Sequence, residues 1–180
     1  MKKAQWMSLF IIFLMASSTI GFIGITSNSE EPQTGKSIKY NGQKFSSTLD
    51  NRWVTIIDGV QFIFDYSPEE LNDLAVPELN FGNKVYIIFD HNKTNSYLNY
   101  NVQKLSYTLQ ATNRAVINAC DKEEGCPENA PIKDCTEDAV YLKITEENKV
   151  YNEGKCIVVE GDNEGITKSI DKIDIKLVGL

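Results

Sequence analysis

The residues best suited to chemistry are Asp90 and His91, which open the run Asp90-His91-Asn92-Lys93-Thr94-Asn95-Ser96. His91 is the sole histidine of the chain, and with Asp90 it supplies residue types that ligate a metal or move a proton. The run lies between an apolar stretch and an amphipathic one. A loop that leaves a strand and opens a helix offers free backbone N–H groups to a ligand. Asp, Asn, Thr and Ser are also ordinary helix caps and turn formers, and acid-base work needs a second positioned group that the sequence does not identify. Asp90 and His91 are therefore catalytic candidates without an assigned reaction. Asn92-Lys93-Thr94 also fits the acceptor sequence for N-glycosylation, which makes Asn92 a glycosylation candidate in an exported domain.

Four cysteines, Cys120, Cys126, Cys135 and Cys156, all lie in the C-terminal third. An even number in an exported chain reads as two disulfides, and three pairings are open. The favoured pairs are Cys120 with Cys126, closing a short loop, and Cys135 with Cys156, tying that loop's far end to a strand. The spacing C-x5-C-x8-C-x20-C lacks the close pair that grips zinc, and no C-x-x-C motif at a helix start would stabilise a reactive thiolate. Glu123, Glu124 and Glu128 do not follow a calcium-loop spacing. No metal site and no cofactor is expected. Asp171 and Asp174 read as a solvated helix side opposite Ile170 and Ile173, neutralised by Lys168, Lys172 and Lys176.

The export expectation rests on residues 6–25, an apolar run long enough to span a bilayer as a helix. Lys2 and Lys3 precede it and Glu30 and Glu31 follow it, so the positive-inside rule leaves the N-terminus in the cytoplasm and the rest outside. Residues 1–26 are read as a transmembrane anchor or uncleaved signal of a single-pass cell-membrane protein, 27–36 as a polar neck and 37–180 as one extracytoplasmic domain. Two alternatives are a signal cleaved near Ala16 and Ser18, and a pilin-type signal at Lys3-Ala4-Gln5 that would send the apolar helix into a filament. A formal charge of -7 argues against nucleic acid as a partner, since phosphate contacts need clustered Lys and Arg. A hydrophobic content of 42% is enough for a packed core.

Asn41-Gly42 and Asp58-Gly59 are hairpin turns, with a third reversal at Asp50-Asn51, so strands are predicted over 37–40, 43–49, 52–57 and 60–66. Ser67-Pro68-Glu69-Glu70 has the form of a capping box and predicts a short helix to Leu74. Residues 84–90, with Val85, Tyr86, Ile87, Ile88 and Phe89 in unbroken succession, read as a central strand covered on both faces. Leu98, Val102, Leu105, Leu109, Val116 and Ala119 make one stripe, predicting a helix from Asn95 to near Cys120. Strands over 139–145 and 156–159 follow, then a helix with Ile166, Ile170, Ile173 and Leu177 buried and Gly179 at its end. The fold class expected is α+β, an antiparallel β-meander followed by β-α-β-β-α, with one mixed sheet and two helices packed on it.

The hydrophobic start, the Tyr40-Asn41-Gly42 and Asp58-Gly59 turns, the stretch Cys126 to Cys135 and the Ile170-Asp171-Lys172-Ile173-Asp174 helix together resemble small single-pass membrane-anchored proteins of archaea. That resemblance implies an anchor and this fold, and no activity. The functional expectation is a non-enzymatic binding or envelope-associated domain with a protein partner at the cell surface. Its alternatives are a type IV pilin-like filament subunit and a small hydrolase or metal-dependent enzyme using Asp90 and His91.

Overall fold

The computed structural model describes residues 35–180. The apolar segment 6–25, the pilin-type signal at Lys3-Ala4-Gln5 and most of the neck lie outside the described residues. Among the described residues no helix is long and apolar enough to cross a membrane.

Strands β1 (Ser37–Tyr40), β2 (Gln43–Ser47), β3 (Trp53–Ile57) and β4 (Val60–Phe64) form an antiparallel sheet in chain order. Asn41 and Gly42 have φ of 46° and 85°, and Asp58 and Gly59 have 51° and 80°. These left-handed pairs match the twist of the strands they join, which is why Asn-Gly and Asp-Gly stand there. Side chains alternate across the sheet. Phe45, Phe62 and Phe64 pack on one face with Leu71 and Ile175, while Ile56 and Ile63 are exposed. Burial of one such phenylalanine stabilises by roughly 1.5–3 kcal/mol.

The capping box at Ser67 closes: its N and Oγ donate to Glu70 Oε2 at 2.8 and 2.7 Å, and Glu70 N donates to Ser67 Oγ at 3.3 Å. The predicted helix does not follow. The backbone runs in turns whose bonds step back three residues, such as Leu71 N to the Pro68 carbonyl and Leu74 N to the Leu71 carbonyl. Leu71 is the one buried residue between Glu69 and Leu74, so no apolar face exists to hold a helix against the core.

The second sheet contains β5 (Lys84–Phe89), β6 (Ala115–Cys120), β7 (Ala139–Ile144), β8 (Lys149–Glu153) and β9 (Cys156–Gly161) in the order β6-β5-β7-β9-β8. All its pairings are parallel except β8 with β9. The α+β class therefore holds, but with two sheets in place of one and with β6 and β8 as additional strands. Helix α1 (Ser96–Ala111) is shorter than its apolar stripe suggested. Asn113 adopts φ 62° and Arg114 N reaches the Leu109 carbonyl, which turns the chain out of the helix. Val116 and Ala119 then belong to β6, not to α1.

Helix α2 (Asn163–Leu177) follows β9, and both helices cover the same sheet face. Val85, Ile87 and Phe89 of β5 pack there with Leu98, Val102 and Leu105 of α1 and with Ile166, Ile170 and Ile173 of α2. Tyr86 and Ile88 point the other way, into a smaller cluster with Ala119, Ala139, Val158 and Cys156. That face is closed by the segment carrying Cys135, which is bridged to Cys156; Cys120 is bridged to Cys126.

Candidate functional site

Strands β5, β6 and β7 end side by side, and Asp90, Asp121 and Thr145 stand just past their ends. From β5 the chain crosses through α1 to β6 on one side, whereas β7 lies on the other. Connections diverge at such a point and leave a crevice, which is a preferred ligand position in sheets with parallel strands. Here the crevice is a cleft of about 190 Å³ whose walls include Asp90, Lys93, Asp121, Tyr141, Lys143 and Thr145.

Asp90 Oδ1 accepts from Asn92 N at 3.0 Å and Oδ2 from Lys122 Nζ at 2.7 Å. The Lys122 contact holds the Asp90 carboxyl below its usual range and raises the ammonium in turn. Tyr141 donates its hydroxyl to Asp121 Oδ2 at 3.0 Å; burial first, and then this carboxylate, push the phenol up. Lys143 Nζ stands 4.6 Å from the Tyr141 ring centre and 3.3 Å from Glu160. Asp121 Oδ1 is different, since it is buried and accepts no hydrogen bond. A buried acceptor without a donor is costly, which makes Asp121 the unsatisfied group of the cleft wall.

His91 does not join Asp90 as an acid-base pair. Its ring stacks on Phe89 with centroids 4.2 Å apart and planes at 24°, and its Nε2 is buried without a partner. Neither hydrogen bond of the Asp90 carboxylate goes to it. Asn92 is exposed, and its Nδ2, the atom a glycan would occupy, donates to the Glu124 carbonyl at 2.8 Å. Asn92 also lies so close to Gly125 that a Cβ there would stand 2.0 Å from Asn92 Oδ1. Asp121 and Tyr141 are not legible as site residues in the sequence, because the helical spacing of Val116 and Ala119 from Leu109 hides the strand that ends at Cys120.

The second departure concerns Asp171 and Asp174, which are 0% and 1% exposed instead of solvated. Their side of α2 faces Lys104 of α1, which bonds Asp171 at 2.7 Å and Asp65 at 2.5 Å. Asp171 Oδ2 also accepts from the backbone N of Asp65 and Tyr66, both at 2.8 Å, so this carboxylate fastens the end of β4 to α2. Burial draws Lys104 down, but Asp171 and Asp65 outweigh it and raise the ammonium. Burial pushes Asp171 up to about 6 against the pull of Lys104. Burial pushes Asp174 further, to about 8, against the pull of Lys104 and with the Asp171 carboxylate adding to the rise; neither of its oxygens has a hydrogen-bond partner in the fold. The nearby Thr108 hydroxyl favours its charged form only weakly, being directed at the Lys104 carbonyl. Burial thus favours the neutral form of Asp174 more strongly than that of Asp171, whose ionised form the Lys104 ammonium and the Tyr66 N–H support.

Among the described residues no group of three or more His, Cys, Asp or Glu side chains is arranged to hold a metal ion, and no cysteine is free. No protein family, no curated protein and no solved structure matches the chain.

Proposed function

We propose that this protein is an exported, membrane-anchored binding domain that holds a small polar ligand in the cleft at the ends of β5, β6 and β7. The apolar run 6–25, with lysines before it and glutamates after it, supports a single-pass anchor with the N-terminus in the cytoplasm. Two disulfides suit an oxidising compartment outside the cytoplasm. The observation that carries the binding reading is the buried Asp121 Oδ1, left without a donor beside Tyr141 in a cleft at a strand-order switch. A non-enzymatic role is favoured over the hydrolase alternative because Asp90 is committed to Lys122 and the Asn92 amide, and His91 to Phe89.

The test is a thermal-shift and calorimetric screen of the full chain against small amines, amino acids and polyols, repeated with Asp121→Ala. A compound that stabilises the parent and not the variant supports the reading. Stabilisation by none, or equal stabilisation of both proteins, removes it.

A further inference from the structure

A groove of about 680 Å³ opens where the first turns of α1 and α2 meet the end of β4. Its lining includes Tyr66, Tyr97 and Tyr100 together with Asp65, Asn163 and Glu164, and contains no Lys or Arg. It shares no wall residue with the cleft at Asp121, so the two sites stand or fall separately.

Each side chain has a defined state. Tyr97 is 59% exposed, although a tyrosine ring left in water forgoes the stabilisation of burial. Tyr100 is fixed by donating its hydroxyl to both Asp65 oxygens at 3.1 Å. Asn163 Oδ1 accepts from Asn95 Nδ2 at 3.1 Å, which joins the starts of the two helices and leaves the Asn163 amide free to donate into the groove. The N–H groups of Ser96 and Tyr97 in α1, and of Asn163 and Glu164 in α2, have no acceptor within their helices. The groove thus alternates donors, acceptors and aromatic faces.

The two wall carboxylates already hold the nearby lysines, Asp65 pairing with Lys104 at 2.5 Å and Glu164 with Lys168 at 2.6 Å, so no free cation is left to receive an anionic ligand. A second cation is disfavoured as well. Lys104 already stands 5.1 Å from the Tyr100 ring centre and Lys168 stands 5.0 Å from that of Tyr66, so the attraction of those rings for positive charge is in use. What remains is a neutral molecule with hydroxyls of both donor and acceptor character and apolar C–H faces to lie on aromatic rings. We infer that this groove is a binding site for a neutral oligosaccharide, with Tyr97 as the stacking platform and Asn163, Asp65 and Glu164 as hydroxyl partners.

The experiment is isothermal titration of the full chain, kept in a polyoxyethylene detergent that carries no sugar, with maltotriose, cellotriose and chitotriose. At least one of the three is expected to bind with a Kd of about 1 mM or tighter. Tyr97→Ala is expected to weaken that binding about tenfold, the worth of one aromatic contact, while Tyr97→Phe retains it and neither change moves the melting temperature. Binding of none of the three overturns the assignment. So does unchanged binding by Tyr97→Ala, or displacement of the sugar by tetramethylammonium chloride, which would make the groove a cation cage.

Discussion

Asp174 sits in the core with no hydrogen bond, and its protonation shapes how stability responds to pH. The folded protein keeps the proton up to about 8, whereas the unfolded chain releases it near 3.8. The contribution is therefore full below 3.8 and is lost as pH rises toward 8, at up to about 1.4 kcal/mol per pH unit. Asp171, raised to about 6, adds a slope of the same sign only below 6, so the window between 6 and 8 isolates Asp174. Denaturant unfolding at pH 6 and pH 8 should show the parent losing stability across that window and Asp174→Asn losing markedly less; equal losses would refute the assignment. Lys104→Met should destabilise by about 3 kcal/mol or more, since it strands Asp171 in the core. Adding Asp171→Asn to it should recover part of that loss, and a double-mutant cycle measures the coupling directly. None of this was legible in the sequence. Asp171 and Asp174 alternate with lysines as a solvated helix face does, and only the fold reveals that β4 and Lys104 cover that side.

Elements bounded by strong local chemistry were legible, and those depending on what lies opposite were not. The four meander strands and their turns follow from Asn-Gly and Asp-Gly, because few residues accept the positive φ those turns need. The unbroken apolar run of β5 correctly signalled a strand covered on both faces. The end of α1 was hidden because Val116 and Ala119 fall at helical spacing from Leu109 by coincidence. The signal that could have located it was Asn113, a residue that tolerates φ 62°, followed by Val116 and Ile117, which favour strands. Asn113→Gly should leave stability within a few tenths of a kcal/mol or raise it, and Asn113→Val should lower it by about 1 kcal/mol or more, as read by thermal unfolding. Edge strand β8 leaves little trace in the sequence because it is five residues long and half exposed. The face of the second sheet opposite the helices is closed by the bridge from Cys135 to Cys156 and not by another helix. Replacing that pair with serines should cost about 3 kcal/mol in chemical unfolding, as expected for a loop of this size. A loss below ~1 kcal/mol would mean that the segment packs without its bridge.

At the scale of the whole molecule, residues 35–180 form an α+β unit whose cleft and groove lie at the strand ends and helix starts, with the meander closing the core near Phe45, Phe64 and Ile175. The proposed role sets this unit outside the cytoplasm, held by residues 6–25. That placement suits the two disulfides and gives small polar molecules access to the cleft. A pilin-like route differs in one respect, since it would remove Met1 to Ala4 and send the apolar helix into a filament. The decisive measurement is the intact mass of the native protein, recovered separately from carbonate-washed membranes and from the soluble fraction without reductant. An uncut chain is expected in the membranes, lighter than the reduced mass by four hydrogens, two for each bridge. A fully reduced chain found in the soluble fraction would contradict it.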